Sequence, residues 1–255
     1  DGDGDIDLIS GVNNQGNQVF KNNGAGSFTD TGLSLGAEPT ISIAPADLDG
    51  DGDVDFIAGN DGSNSKVWKN DGTGSNFTNT FTTALSYPTR HVFAADVDND
   101  GDVDFLMGNY NAANLVWLND GAGAFSDNGQ SFGAESTQAM LAADIDADGD
   151  QDMIAGNYSS ENSVIYTNDG NGQFTDTGNT FFETGARSLF GLDKDGDGDI
   201  DFISGDENFN SNDVYENDGT GNFTDTGQAL GAYKTISVHG GDLDGDGDID
   251  IVSGN

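Results

Sequence analysis

Aspartate fills every second position of a short run, and that run returns six times along the chain at a nearly constant interval. The full form, D-x-D-x-D-G-D-x-D, spans Asp47 to Asp55, Asp96 to Asp104, Asp144 to Asp152, Asp193 to Asp201 and Asp242 to Asp250. A sixth copy, Asp1 to Asp7, lacks the first aspartate. The last aspartates fall at 7, 55, 104, 152, 201 and 250, so the period is 48 or 49 residues. Such a period marks a repeat architecture, in which each copy is one supersecondary unit and a continuous core forms only between neighbours.

Two further signals keep the same phase. A short apolar stretch ending in glycine follows each aspartate run, as in Val54 to Gly59 and Val103 to Gly108. Next comes N-D-G-x-G-x-F or a close variant, at Asn22 to Phe28, Asn70 to Phe77, Asn119 to Phe125, Asn168 to Phe174 and Asn217 to Phe223. Asn-Asp-Gly between apolar stretches is a hairpin signal, because these residues tolerate positive φ. In the second repeat the expected strands lie near Thr40–Ala46, Val54–Gly59, Lys66–Lys69 and Phe77–Thr80. No stretch keeps a helical period, and the chain has 39 glycines, so the reading is all-β.

Four strands every 40 to 50 residues is the arithmetic of a propeller blade. An open β-solenoid is the runner-up, although its coils are shorter. The expected architecture is a β-propeller, or a segment of one, with four-stranded blades, the aspartate run as the loop between first and second strands, and about five blades. We read one repeat domain over 1–255, with copies near 1–39, 40–88, 89–136, 137–185, 186–234 and a partial 235–255. Closing five blades into a ring would leave the Asp242–Gly254 copy surplus, so a segment of a longer array, such as a seven-bladed ring, fits the ragged ends better.

The repeat resembles the FG-GAP/VCBS family, whose calcium-loop blades also occur in integrin α-chain propellers. The six D-x-D-x-D-G-x-x-D loops carry the resemblance over essentially the whole chain. It implies calcium-loaded blades in surface and secreted proteins, and says much less about which ligand is bound.

The residues point to the same ion. The chain carries 46 acidic and 7 basic residues, a formal charge of −39, and 29 of the acidic residues are loop aspartates. Five carboxylates within nine residues repel one another unless a cation sits among them. Calcium takes six to eight oxygens in flexible geometry, whereas magnesium demands a stricter octahedron. The candidate ligands are Asp1, Asp3, Asp5 and Asp7; Asp47, Asp49, Asp51, Asp53 and Asp55; Asp96, Asp98, Asp100, Asp102 and Asp104; Asp144, Asp146, Asp148, Asp150 and Asp152; Asp193, Asp195, Asp197, Asp199 and Asp201; and Asp242, Asp244, Asp246, Asp248 and Asp250. By analogy with the first half of an EF-hand loop, positions 1, 3, 5 and 9 give side chains and position 7 a backbone carbonyl. A true EF-hand needs Glu at position 12, where this chain has Ala58, Met107, Ala155, Ser204 and Ser253. About five or six structural calcium ions are expected.

Composition excludes other classes. So few cations rule out nucleic-acid binding by phosphate neutralisation and docking on anionic lipid. No cysteine means no disulfide or thiolate chemistry, and no apolar run approaches the length of a membrane span. Asp1-Gly2-Asp3-Gly4-Asp5 is no signal peptide, so an export signal would lie outside these residues. Leu, Ile, Val and Phe make up about a fifth of the chain, near the border of disorder; the regular order of the repeat argues for a fold.

Beyond calcium, one column just before or at the start of each first strand reads Ile41, Arg90, Gln138, Arg187, Ile236. Arg90, Arg187 and Lys234 therefore fall near one end of the blades, an expected mouth for an anionic or carbohydrate ligand. Ion pairing with Glu38, Glu135 and Glu183 is the blander explanation. Tyr110, Tyr158 and Phe209, each set among amide or hydroxyl residues after the second strand, are candidates for stacking on a sugar ring. Trp68 and Trp117 occupy equivalent third-strand positions and read as blade core. G-x-S-x-G occurs at Gly32–Gly36 and Gly129–Gly133, one station of the repeat that reads G-Q-A-L-G at Gly227–Gly231. No helical pattern follows it to make a nucleophile elbow, and H-E-x-x-H does not occur. The favoured expectation is a non-catalytic extracellular or cell-surface module for adhesion or interaction, with a glycan or a surface protein as partner. The alternatives are a lectin-like propeller and a polysaccharide lyase or hydrolase, for which His91 with Arg90 is the pair to nominate.

Overall fold

The computed structural model describes residues 1–158, 161–181, 185–208, 211–231 and 233–255. Every regular element among them is a strand. No helix is long and apolar enough to cross a membrane among the described residues. The chain forms two compact units, Asp1–Ser131 and Phe132–Asn255.

The first unit opens with a three-stranded sheet of β1 (Leu8–Ser10), β2 (Gln18–Asn22) and β3 (Phe28–Asp30). Two four-stranded meanders follow: β4 (Thr40–Ala46), β5 (Asp55–Ser63), β6 (Lys66–Asn70) and β7 (Phe77–Thr82), then β8 (Tyr87–Ala95), β9 (Asp104–Asn109), β10 (Asn114–Asn119) and β11 (Phe125–Phe132). The last residue of β11 is counted with the second unit. That unit holds two meanders in order: β12 (Thr137–Ala143), β13 (Asp152–Asn157), β14 (Ser163–Asn168) and β15 (Phe174–Phe181), then β16 (Ala186–Leu192), β17 (Asp201–Asp206), β18 (Asn212–Asn217) and β19 (Phe223–Leu230). A two-stranded sheet, β20 (Ser237–Gly241) with β21 (Asp250–Gly254), completes it.

One detail departs from separate four-stranded blades. Strand β5 continues through a bulge at Gly62, where φ is +66°, and its end pairs with β8 through Asp61↔Pro88 and Ser63↔Tyr87. The two meanders of the first unit thus share one eight-stranded sheet.

Each meander is pinned by the same cross-strand pair between second and third strands: Phe56↔Trp68, Phe105↔Trp117, Met153↔Tyr166 and Phe202↔Tyr215. The Phe105 and Trp117 rings stack 6.0 Å apart at 12°, and Phe202 and Tyr215 stack 4.7 Å apart at 13°. Such pairs add to the burial of the aromatic area itself. Trp68 and Trp117 are therefore blade core, as read from their equivalent positions. Between meanders the core is aliphatic and aromatic: Ile57, Val92 and Met107 in the first unit, Ile145, Ile154 and Ile165 in the second. First strands of successive meanders also touch. Val92 N–H donates to Ser42 Oγ at 3.1 Å, and Val238 N–H donates to Ser188 Oγ at 3.0 Å.

Candidate metal centres

Each aspartate run forms the turn between a first and a second strand, and its carboxylates divide the work by position. The aspartate at position nine starts the second strand and is buried in the four meanders, at Asp55, Asp104, Asp152 and Asp201. Its Oδ2 accepts the N–H of the second residue of the run, as Asp55 does from Leu48 (3.1 Å), Asp104 from Val97 (3.0 Å) and Asp152 from Ile145 (3.1 Å). Its Oδ1 accepts the N–H of the hairpin asparagine: Asn70 to Asp55 (2.7 Å), Asn119 to Asp104, Asn168 to Asp152 and Asn217 to Asp201 (2.8 Å each). Turn and hairpin are latched together at this carboxylate.

The asparagine latches further. Asn119 Nδ2 donates to Val103 O and to Leu48 O of the preceding meander, both at 2.9 Å. Asn217 Nδ2 makes the matching bond to Ile145 O at 2.8 Å. From sequence these asparagines read only as turn formers, although their constant phase with the aspartate runs is visible there.

The first aspartate closes the turn over glycine N–H groups. Asp47 accepts from Gly50 (2.9 Å) and Gly52 (3.0 Å), and Asp193 accepts from Gly196 (2.7 Å) and Gly198 (3.1 Å). Gly52 sits at φ +90°, which an L side chain rarely adopts. The aspartate at position seven faces the hairpin instead: a Cβ on Gly72 would lie 2.4 Å from Asp53 Oδ2, with the same crowding of Asp102 on Gly121. Its carboxylate is thereby engaged away from the turn, which leaves its backbone carbonyl as the group it would offer an ion.

What remains converges. Carboxylate oxygens lie within 4.8 Å of one another in Asp47/Asp49/Asp55, Asp96/Asp98/Asp104, Asp144/Asp146/Asp152, Asp193/Asp195/Asp197 and Asp242/Asp244/Asp246. Asp49 Oδ1, Asp96 Oδ1, Asp98 Oδ1, Asp144 Oδ1 and Asp146 Oδ1 are buried with no hydrogen-bond partner. Buried acceptors without donors are costly, and a carboxylate has acceptor sites to spare. Burial, followed by the neighbouring carboxylates, holds Asp98 and Asp146 above the usual carboxylate range. Burial pushes Asp104 and Asp152 up to about 6 despite two N–H donors on each. Oxygen-only clusters of this kind fit a hard divalent cation. In the run at Asp1–Asp7, Lys21 pairs with Asp1 at 3.3 Å.

The other candidate residues lie at the opposite ends of the strands. Arg90 Nη1 pairs with Asp61 Oδ2 at 2.9 Å, and its guanidinium carbon is 5.3 Å from the centre of the Tyr110 ring. Arg187 pairs with Glu207 at 3.6 Å and donates to Gln138 Oε1. These acids are not those expected, since Glu38 pairs with Lys66 and Glu183 lies outside the described residues. The reason is register: the exit of a second strand stands beside the start of a first strand, that of the next meander in Asp61↔Pro88 and that of its own meander in Ala186↔Asp206. Asp61, Tyr110, Tyr158 and Glu207 share one station, each N–H donating to a carbonyl just before or at the start of a first strand (Pro39, Pro88, Ser136 and Gly185). Phe209 lies outside the described residues. Lys234 is exposed beside exposed Tyr233. His91 Nδ1 is buried without a partner, and burial lowers the ring to about 4, so it is neutral at pH 7. His239 meets Phe190 edge-on at 6.3 Å.

A sequence model of the FG-GAP-like repeat matches residues 1–58, 47–107, 96–155, 144–192 and 193–253. No curated protein matches the chain. Among solved structures, a protein from Lactobacillus plantarum is 18% identical with a TM-score of 0.68, over 97% of this chain and 76% of that one. The BP39L lectin from Burkholderia pseudomallei is 11% identical with a TM-score of 0.68, over 96% and 73%. A candidate 6-phosphogluconolactonase from Bacteroides fragilis is 16% identical with a TM-score of 0.65, over 93% and 67%. At such identities the likeness is one of fold, that of the β-propeller.

Proposed function

Because this chain belongs to the FG-GAP-like repeat family, we propose that it is a non-catalytic extracellular module whose acidic turns bind structural calcium and whose surfaces serve adhesion or ligand binding. The observation that carries the reading is the set of convergent aspartates with buried carboxylate oxygens that have no donor. Calcium would be held by aspartates 1, 3, 5 and 9 of each run, with the carbonyl of residue 7. When bound it supplies positive charge among carboxylates that otherwise repel. The protein's own part is to hold those oxygens together through the glycine N–H groups and the asparagine latch. Sites of extracellular-type affinity, about 10⁻⁴ to 10⁻³ M, fill only where calcium is millimolar, which suits a secreted or cell-surface setting.

At such affinities each site adds only about 0.4 to 1.4 kcal/mol in millimolar calcium, and five sites add several. Calorimetry with and without chelator tests this. The expected fall in Tm on chelation is on the order of 10 °C, at about 2–4 °C per kcal/mol. Calcium should restore the melt and equimolar magnesium should not. An unchanged melt would overturn the reading.

The non-catalytic part rests on the state of the nominated pair. Arg90 is engaged by Asp61 and Tyr110, and a neutral imidazole lowered to about 4 is a poor base at pH 7. A second reading, carbohydrate binding, is favoured by the joining of Tyr110 to Arg90, an aromatic face beside a fixed hydrogen-bond donor. A glycan array in millimolar calcium, with a chelated control, decides between them. Calcium-dependent binding to a defined sugar that Tyr110→Ala abolishes would establish the second reading.

A further inference from the structure

The residue just before the hairpin asparagine occupies one station of the repeat and reads Lys21, Lys69, Leu118, Thr167, Glu216. Where it is lysine, its ammonium reaches the aspartate at position three of the same run: Lys69 pairs with Asp49 Oδ2, and Lys21 pairs with Asp1 Oδ2 at 3.3 Å. Both side chains thread between their own turn and the next hairpin. A Cβ on Gly123 would lie 3.6 Å from Lys69 Cδ, and one on Gly74, the same hairpin station, 3.3 Å from Lys21 Cε. The geometry is thus repeated, and both partners are largely buried: the Asp49 side chain is 6% exposed and that of Lys69 26%.

In the runs 96–104 and 144–152 that station holds Leu118 and Thr167, which carry no charge. Asp98 Oδ1 and Asp146 Oδ1 stand there buried and without a hydrogen-bond partner. Glu216 reverses the charge and pairs with Lys194 at 3.1 Å, at the second residue of its run. Asp49 keeps its own Oδ1 buried and without a hydrogen-bond partner while Oδ2 meets the lysine. The lysine therefore subtracts charge from the site while leaving an oxygen for an ion.

We propose that Lys69 is a resident counter-cation that weakens calcium binding at 47–55, so that 96–104 and 144–152 hold the ion at lower calcium than 47–55 does. The proposal rests on the calcium reading above. Calcium affinity in oxygen sites follows ligand charge count. One ammonium in contact with a ligand carboxylate should raise the midpoint of that run by about tenfold, an effect of the kind that charge count produces across calcium sites. Lys21 would act alike on the run that ends at Asp7.

The test is an amide NMR titration of the whole chain from saturating calcium downward in chelator-buffered solutions. The sixth-position glycines Gly52, Gly101 and Gly149 report each run separately. In the wild type Gly52 should lose its calcium-bound position at about tenfold higher calcium than Gly101 and Gly149. Lys69→Met should bring Gly52 down to their midpoint, and Lys69→Arg should leave it where it is. Should Lys69→Met fail to fold, Leu118→Lys makes the converse change and should raise the Gly101 midpoint alone. A single midpoint shared by all three glycines in the wild type, or a Gly52 midpoint indifferent to Lys69→Met, overturns the proposal while the calcium reading stands. If no glycine responds to calcium, both fall together.

Discussion

At the scale of the residue, five aspartates that look alike in a run do four different things. The alternation pointed to a cation among them; it did not show which oxygens were already spoken for. That depends on the hairpin docking onto the turn, a contact between segments some 15 residues apart. Asp104 is the clearest case, since it takes one N–H from its own turn and one from Asn119. Asp104→Asn sets an amide NH₂ against one of those donors and should cost about 3 kcal/mol. At this chain length that lowers Tm by on the order of 10 °C. A shift under 2 °C in calorimetry would mean that the latch carries little load. The same burial makes a pH prediction for the metal-free protein. Asp104 and Asp152 sit near 6 when folded and near 3.8 otherwise, so the folded state binds more protons between about pH 4 and 6. Stability from these groups is present below pH 4 and is lost as pH rises through 6. His91 opposes them, because its lowered folded value makes protonation favour unfolding below about 6.5. In chelated His91→Gln protein, denaturant melts should therefore show stability falling from pH 4 to pH 6; a rise across that window would refute the role of burial.

At the scale of the element, the strands were legible because apolar stretches, hairpin asparagines and aspartate runs keep one phase. The expected second-repeat strands begin within a residue of the observed ones. The extension of β5 to Ser63 was not legible, because it rests on Pro88 and Tyr87 of another repeat and on a glycine bulge. The joints between meanders were hidden for the same reason. Ser188 lies in a strand of ordinary appearance, yet its Oγ accepts Val238 N–H and donates to Val238 O at 3.4 Å. Ser188→Ala strands a buried donor and should cost on the order of 1–3 kcal/mol. Hydrogen exchange is the measurement: protection at Val238 should fall at least tenfold, with protection in β13 unchanged. Equal loss in both strands would mean a global effect rather than a joint.

At the scale of the whole chain, the −39 charge is mostly loop charge, packed into short runs whose carboxylates repel one another at close range. Salt and calcium should therefore substitute for each other in part. With chelator, raising sodium chloride toward 0.5 M should raise Tm, because the screening length shrinks below the spacing of exposed charges. With saturating calcium the same salt should change Tm much less; equal salt responses would show that the charge sits elsewhere in the energetics. The asparagine bond from one meander to its predecessor recurs as Asn119 to Leu48 and as Asn217 to Ile145, so at these two joints donor and acceptor hold fixed stations of the repeat. A chain built of such copies could gain or lose a whole one and still bring matching stations together, so the joint constrains these two positions far more than it constrains the number of copies.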